Sequence, residues 1–148
     1  MKSRYIKIPY TPSIPAAALK NPDKDISSLR EELVQYALQF EGNTYRYGGT
    51  SLTKGTDCSG FTQSVFRTKG IILPRTSRLQ AKNGKVVPLN KLQPGDLLFY
   101  RKNGVINHVA LYIGDEKVIH ASCPKSGIKV SEFDYRKPYK AVTYFEQS

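Results

Sequence analysis

The chain has 148 residues, enough for one domain with its own core, and its 39% apolar and 24% charged side chains are ordinary for a globular protein. No run approaches the roughly 18 apolar residues of a membrane-spanning helix, and two cysteines are too few for a disulfide scaffold. The net charge of +11 would suit a nucleic-acid ligand, but the Lys and Arg residues are dispersed and no RNA-binding signature accompanies them, so we expect no nucleic-acid partner.

The first 24 residues contain four prolines and predict an extended arm. Three basic residues near the start, Lys2, Arg4 and Lys7, are typical of a signal peptide. The prolines that follow prevent the helical apolar segment that such a peptide needs, so no signal peptide is recognisable. We expect residues 25–148 to form the domain that carries the chemistry.

A stretch with helical periodicity begins near residue 25. Asp25 or Ser27 can cap its first turn, because either side chain can accept a hydrogen bond from a free backbone N–H group. The apolar side chains that recur on one face are Leu29, Leu33, Tyr36, Ala37 and Phe40. Gly42 is expected to end this helix, whose apolar face should pack against the rest of the domain.

Cys58 stands in the segment Asp57-Cys58-Ser59-Gly60, directly before a second helical pattern that ends near Gly70. A helix start presents unpaired N–H groups and the positive end of the helix dipole, and both stabilise a thiolate relative to a thiol. A thiolate is the nucleophile of cysteine hydrolases. A lone cysteine more often packs as a small apolar side chain, so this interpretation requires a neighbouring base.

Cys123 lacks a helix start, and we expect it to have a structural role only. A disulfide between Cys58 and Cys123 is conceivable, but it would leave Cys58 without the free thiol that a nucleophile needs. The chain has no pair of cysteines at zinc-ligand spacing, and one cysteine with two histidines does not match the usual zinc sites. We therefore expect neither a metal ion nor another cofactor.

A loop over residues 73–77 is expected to open a short helix that reaches Gln80. The chain then changes to strand patterns, introduced by the turn Pro94-Gly95-Asp96. The predicted strands cover residues 97–100, 107–113, 117–122, 128–133 and 141–145. Helices first and strands afterwards predict an α+β domain whose antiparallel sheet packs against the Cys58 helix.

The only two histidines, His108 and His120, lie on the two strands of a predicted hairpin. Side chains alternate along a strand, so a three-residue turn over 114–116 would place Ala110 opposite His120 and both imidazoles on one face. A four-residue turn would place the two imidazoles on opposite faces of the sheet. Each histidine could be an ordinary core or surface side chain, but two on one hairpin favour a base for Cys58.

Six short segments stand in a characteristic order: Tyr45–Gly49, Asp57–Phe61, Leu73–Ser77 with Gln80, Pro94–Asp96, His108–Gly114 and Ile119–Ser122. In this order they resemble the NlpC-type peptidoglycan peptidases, which are compact papain-like cysteine enzymes. The resemblance runs from about Leu29 to Phe133 and excludes the proline-rich arm. It departs from the common pattern at Tyr47, where many members have tryptophan, and at Ala110, where glycine is frequent.

The resemblance implies a papain-like NlpC-type α+β fold, with N-terminal helices packed on an antiparallel sheet. It implies Cys58 as nucleophile, His108 as base and His120 as the third polar residue of a triad that attacks an amide carbonyl and forms a thioester. Substrate or transition-state contacts are implied for Tyr45, Asp57, Ser59 and Ser77. For Asp57 a helix cap is an equally good interpretation.

By the same resemblance, the substrate is a peptidoglycan stem peptide cut at the γ-D-glutamyl bond to the diamino acid, in the periplasm, the cell envelope or outside the cell. The alternatives are an N-acetylmuramoyl-L-alanine amidase of the related CHAP type, a secreted antibacterial effector, and a non-catalytic basic module that binds wall or nucleic acid. We expect a monomer. With this substrate, the charge of +11 favours attraction to acidic wall polymers over a merely solvated surface.

Overall fold

Residues 25–145 are the part of the chain that the computed structural model describes, and the proline-rich arm predicted over residues 1–24 lies outside it. The helices of this part are α1 (Ile26–Leu38), α2 (Cys58–Arg67) and α3 (Ser77–Asn83). The strands are β1 (Thr50–Ser51), β2 (Gly55–Thr56), β3 (Lys85–Val87), β4 (Leu97–Lys102), β5 (Val105–Gly114), β6 (Lys117–Cys123), β7 (Gly127–Glu132) and β8 (Pro138–Thr143). None of the helices in residues 25–145 is long and apolar enough to cross a membrane.

The start of α1 agrees with the prediction, and its end does not. The Asp25 carboxylate accepts a hydrogen bond of 2.9 Å from the backbone N–H of Ser28, as a helix cap does. The helix ends at Leu38, before the expected Gly42. Gly42 has a φ of +94° and donates its N–H to the Ile128 carbonyl at 2.7 Å. It therefore belongs to a turn that docks on β7, for which glycine supplies the left-handed backbone.

Six strands form one antiparallel sheet in the order β3-β8-β4-β5-β6-β7, and β1 and β2 form a separate short ribbon. Helix α2 packs against β5 and β6, and both α1 and α3 contact α2. The main core between helices and sheet includes Leu33, Phe61, Phe66, Phe99 and Val142. The predicted α+β class, with helices packed on an antiparallel sheet, is confirmed.

The β5–β6 hairpin decides where the two histidines point. Its turn is the two-residue segment Asp115–Glu116, in which both residues have a positive φ, of 54° and 60°. The turn is thus shorter than the predicted three residues, but a bulge just before it adds a residue to β5. The two differences cancel, so Leu111 faces Ile119, and His108 and His120 lie on one face, the arrangement expected for a turn of three residues.

A buried ion pair ties α1 to the sheet. Nη1 of Arg30 lies 2.8 Å from Oδ1 of Asp96, and the two side chains are only 7% and 1% exposed. The guanidinium also donates to the Pro94 carbonyl at 2.9 Å and to the Thr143 hydroxyl at 3.0 Å. The apolar pattern of α1 does not predict a buried charge. These partners compensate it, because they satisfy most of the donors that burial removes from water.

We expect Asp96→Ala to lower the free energy of unfolding by about 3–5 kcal/mol, because it leaves the buried Arg30 guanidinium without a counter-charge. Urea denaturation measures this change. The matched control is Glu132→Gln, which breaks a pair with Lys117 whose side chains are 44% (Lys117) and 60% (Glu132) exposed. That variant should lose less than about 1 kcal/mol. Equal losses in the two variants would contradict a special contribution of the buried pair.

Candidate active site

Cys58 is the first residue of α2, as the sequence predicts, and its thiol is free and half-buried. The carboxylate of Asp57 caps this helix by accepting a hydrogen bond of 2.8 Å from the backbone N–H of Gly60. A Cβ atom at Gly60 would lie 2.3 Å from the carbonyl oxygen of Gly49. Glycine at this position therefore allows the helix start to approach the preceding loop closely.

Asp57 and Ser59 are both held by Arg75. The guanidinium of Arg75 donates to Oδ2 of Asp57 at 3.0 Å and to the hydroxyl of Ser59 at 2.8 Å. The backbone N–H of Gly48 also donates to Oδ2, at 3.1 Å. A substrate ammonium group that reaches Asp57 must therefore share the carboxylate with Arg75. Sequence reasoning missed this residue, although it lies inside the recognised segment Leu73–Ser77.

Gln80 fixes the position of α3 against α2. Its side chain is fully buried, accepts a hydrogen bond of 2.8 Å from the Thr62 hydroxyl, and donates to the carbonyls of Ser59 and Pro74 at 3.1 and 2.9 Å. The loop before α3 is thereby tied to the residue that follows Cys58. The predicted short helix does not end at Gln80 but continues to Asn83, and Ser77 is its half-buried first residue.

The two histidines are joined directly. Nε2 of His108 lies 2.7 Å from Nδ1 of His120, and Nε2 of His120 lies 2.9 Å from the hydroxyl of Ser131. The side chain of His108 is 7% exposed and that of His120 is fully buried. The Tyr135 hydroxyl is 3.5 Å from Nδ1 of His120, at the limit of a hydrogen bond. Ser131 on β7 and Tyr135 in the turn after it were not singled out from the sequence, because neither segment carries a catalytic signature.

Helix α2 packs against β5, the strand that carries His108. The Cys58 thiol lies next to the backbone N–H of Val109, the residue that follows His108. Burial raises the pKa of Tyr135, Arg136 lowers it, and the nearby Cys58 raises it again. The centroid of the tyrosine ring lies 5.0 Å from that of His120, with the two rings tilted. Since Nε2 of His108 is bonded to His120, Nδ1 is the ring nitrogen of His108 that remains to accept a proton.

Burial disfavours the protonated, charged form of both imidazoles. It lowers the pKa of His108 to about 3, with smaller contributions from His120 and the Arg136 guanidinium. It lowers the pKa of His120 to about 4, with Lys129 and Arg136 acting in the same direction. At neutral pH both rings are therefore uncharged.

The thiol also differs from the sequence expectation of a thiolate. Burial raises the pKa of Cys58. The N–H of Val109 acts in the opposite direction, and the Asp57 carboxylate raises the pKa further. The N–H groups of a helix start favour a thiolate, but here desolvation outweighs them. The resting site thus contains a neutral thiol beside neutral imidazoles.

Tyr45 lies beside the same thiol. Burial raises the pKa of its hydroxyl, and the neighbouring Cys58 and Asp57 act in the same direction. Tyr45 bridges Thr56 at the end of β2, which brings its ring toward the start of α2. Among residues 25–145, no group of three or more His, Cys, Asp or Glu side chains is arranged to hold a metal ion. The geometry as a whole suits a thiol nucleophile with an adjacent imidazole base.

The sequence matches a known family and several of its characterised members. Residues 42–146 match the model of the NlpC/P60 family. The γ-D-glutamyl-L-lysine dipeptidyl-peptidase of Bacillus subtilis (strain 168) is 41% identical over 120 residues, which are 76% of this chain and 40% of that protein. The murein DD-endopeptidase MepS/murein LD-carboxypeptidase of Escherichia coli (strain K12) is 42% identical over 113 residues, which are 76% of this chain and 57% of that protein. This chain thus spans 40% to 57% of the length of these two relatives.

Solved structures share the fold. The peptidoglycan hydrolase RipB from Mycobacterium tuberculosis superposes with a TM-score of 0.77 at 29% identity, covering 90% of this chain and 73% of that one. The NlpC/p60 domain of the peptidoglycan hydrolase SagA superposes with a TM-score of 0.71 at 31% identity, covering 77% of this chain and 97% of that one. The helices, the sheet and the intervening segments thus follow an architecture found in solved hydrolases.

The neutral, buried histidines make stability depend on pH. The pKa of His108 is about 3 in the folded protein against 6.5 for an unperturbed histidine, so the unfolded chain binds more protons between these values. The contribution of neutral His108 to the free energy of unfolding is complete above about pH 6.5 and declines as the pH falls toward about 3. We expect His108→Gln to flatten the slope of unfolding free energy against pH by on the order of 1 kcal/mol per pH unit between about pH 6 and 4, because the variant lacks a group that binds a proton in the unfolded chain but not in the folded one. Urea midpoints across that range measure the slope, and an unchanged slope would contradict a neutral His108.

Proposed function

This chain belongs to the NlpC/P60 family, and on that premise we propose that it is a cysteine hydrolase that cleaves an amide bond in peptidoglycan stem peptides. The observation that carries the proposal is the Cys58 thiol at the start of α2, beside the backbone N–H of Val109, which directly follows His108 of the buried, hydrogen-bonded histidine pair. The names of the relatives, a γ-D-glutamyl-L-lysine dipeptidyl-peptidase and a murein DD-endopeptidase, support the substrate class. Such a substrate implies action in the periplasm, the cell envelope or outside the cell.

We infer that Cys58 is the nucleophile and that His108 is the base. Because burial favours the neutral form of both groups, the thiol proton moves to Nδ1 of His108 as sulfur attacks the amide carbonyl carbon. The His108 imidazolium then gives this proton to the leaving nitrogen, the C–N bond breaks and a thioester remains. His108 next takes a proton from water, whose oxygen attacks the thioester and releases the acid product and the thiol. His120 orients the His108 ring during both steps.

The oxyanion of the tetrahedral intermediate needs hydrogen-bond donors close to the attacking sulfur. The backbone N–H groups of Val109, Ser59 and Cys58 all lie near the Cys58 thiol. The N–H groups of Cys58 and Ser59 belong to the first turn of α2, where no intrahelical acceptor uses them. We propose that the Cys58 N–H holds the oxyanion, with help from the hydroxyl of Tyr45.

The remaining predicted substrate contacts lie in or beside the Arg75 cluster, formed by Arg75, Asp57 and Ser59. In this cluster, Asp57 is 15% exposed and Arg75 is 37% exposed, so a bound peptide can reach both. A substrate ammonium group would pair with Asp57, and the Arg75 guanidinium would then be available to a substrate carboxylate. Tyr45 and Ser77 are proposed as further contacts, because each lies on a segment next to the start of α2 or α3.

We propose the γ-D-glutamyl bond to the diamino acid as the bond cut, since the relative from Bacillus subtilis is named for a γ-D-glutamyl-L-lysine linkage. A crosslink between stem peptides is the second candidate, because the relative from Escherichia coli is named a DD-endopeptidase. The two bonds give different fragments. Mass spectrometry of muropeptides after digestion therefore distinguishes them, and release of free stem peptide from the sugar would identify an N-acetylmuramoyl-L-alanine amidase.

The catalytic assignment is tested with three variants and the muropeptide assay. Cys58→Ala and His108→Ala should each lower hydrolysis by at least about a thousandfold, because members of such a triad act as a unit. His120→Asn should lose only about tenfold to a hundredfold, since an amide can still orient the His108 ring. Circular dichroism and melting curves confirm that each variant is folded. Full hydrolysis by folded Cys58→Ala would contradict the proposal and favour a non-catalytic wall-binding module.

The charge of +11 is proposed to attract the protein to acidic wall polymers. Exposed charges are screened beyond about 8 Å at physiological ionic strength, so binding to intact sacculi should weaken steeply as salt rises. Hydrolysis of a small soluble stem peptide should change much less, because its contacts are short. Sacculus pelleting and peptide hydrolysis are measured across one salt series. Equal salt dependence in both assays would assign the basic surface to solubility alone.

A further inference from the structure

Ser131 extends the histidine pair by one hydrogen bond. Strands β6 and β7 pair His120 with Lys129 and Val118 with Ser131, so Ser131 lies on the same face as His120 and diagonally across from it. The distance from its hydroxyl oxygen to Nε2 of His120 is 2.9 Å. Ser131 takes no part in the proposed bond-breaking steps.

The ring nitrogens of the pair can be accounted for completely. Nε2 of His108 faces Nδ1 of His120 at 2.7 Å, Nε2 of His120 faces Ser131, and Nδ1 of His108 remains. In a neutral imidazole one nitrogen donates a hydrogen bond and the other accepts one. A donor must face an acceptor at every contact, so a proton position on one ring determines the position on the other. Only two arrangements of the protons are therefore possible.

Only one of these arrangements leaves a base for the thiol. If Nε2–H of His120 donates to the Ser131 hydroxyl, Nδ1 of His120 accepts from Nε2–H of His108. The lone pair of His108 then lies on Nδ1, where the Cys58 proton must arrive. If Ser131 instead donates to His120, both protons move to the Nδ1 positions, and His108 has no lone pair left for the thiol.

We propose that Ser131 is a positioning residue, whose hydroxyl oxygen accepts the Nε2–H of His120 and thereby holds both imidazoles in the tautomer that leaves Nδ1 of His108 free. The inference rests on the proposed function, since it concerns the base of that reaction. Ser131 does not touch the substrate or the thiol. It acts through His120 on His108.

The surroundings of His120 keep its ring neutral, so its effect on His108 depends on its tautomer and not on its charge. Burial, Lys129 on β7 and Arg136 after β7 all lower its pKa, to about 4, so the ring is neutral at pH 7. Tyr135 is a competing partner for Nδ1, but its distance of 3.5 Å compares poorly with 2.7 Å for His108. The Ser131 contact is thus the second strong hydrogen bond of the His120 ring. It is also the one that distinguishes the two arrangements.

The same hydrogen bonds are retained after the Cys58 proton has moved to His108. The His108 imidazolium carries protons on both nitrogens, and its Nε2–H still donates to Nδ1 of His120. An acceptor at Ser131 polarises the His120 ring and makes Nδ1 a better acceptor for this charged donor. The chain of hydrogen bonds therefore need not reorganise during the reaction.

The test uses two variants of equal shape. Ser131→Thr keeps the hydroxyl, and Ser131→Val replaces it with a methyl group; both residues suit a strand. Valine is preferred to alanine because a water molecule could occupy the space left by alanine and restore the hydrogen bond. The chain has only two histidines, so the imidazole ¹⁵N spectrum at pH 7 reports the tautomers of this pair alone. Hydrolysis of the stem peptide gives kcat and KM in parallel.

We expect Ser131→Thr to retain the wild-type tautomers and a kcat within about twofold of wild type. Ser131→Val should raise the population of His108 that is protonated on Nδ1 and lower kcat about tenfold with little change in KM, the scale of other outer partners of functional imidazoles. Wild-type tautomers in folded Ser131→Val, or a threonine variant as impaired as the valine variant, would overturn the inference. A changed tautomer in Ser131→Val, together with a wild-type protein that hydrolyses no peptidoglycan, would support the hydrogen-bond role while refuting the proposed function.

Discussion

The register of the β5–β6 hairpin is the constraint on which the candidate site depends. A shift of one residue would move every side chain of one strand to the opposite face of the sheet. The hydrogen bond of 2.7 Å between His108 and His120 would then be lost, and so would the burial of Ile119 against the helices. The core and the site thus require the same pairing. The two-residue turn with its positive φ values and the adjacent bulge provide it.

Burial of the polar residues sets the chemistry that the site can perform. A buried polar group is costly unless it is hydrogen-bonded, and the contacts of His120 to His108 and Ser131 supply those bonds. The same burial disfavours charge on the imidazoles and on the Cys58 thiol. In the proposed mechanism, the transfer of the thiol proton therefore accompanies the attack on the substrate. A helix start by itself would suggest the opposite protonation state.

The two departures from the common family pattern have different structural settings. The side chain of Tyr47 is 90% exposed, so an aromatic ring of another size at this position alters no packing within residues 25–145. Ala110 is fully buried and belongs to the smaller apolar cluster, with Tyr100 and Tyr112, on the face of the sheet that also carries His108. Its methyl group contributes to that cluster. Neither residue makes a polar contact with the histidine pair.

The sequence by itself determined the features that depend on neighbouring residues. Asp57 as a helix cap, Cys58 as the first residue of α2, and the helices-then-strands order follow from local hydrogen bonding and from the periods of helix and strand. The sequence left the parity of the hairpin open, and the bulge before its two-residue turn places both histidines on one face. The resemblance drawn from six segments is confirmed at the level of the family.

Only the tertiary structure decided which distant residues meet and how much water they retain. Arg30 pairs with Asp96 and Arg75 pairs with Asp57 across long stretches of chain, and no local pattern encodes either partner. Ser131 reaches His120 because β7 pairs with β6 in one particular register. The protonation of Cys58 and the histidines depends on desolvation, which is a property of the assembled core. A sequence pattern specifies which atoms can titrate, whereas the packing around them specifies their pKa.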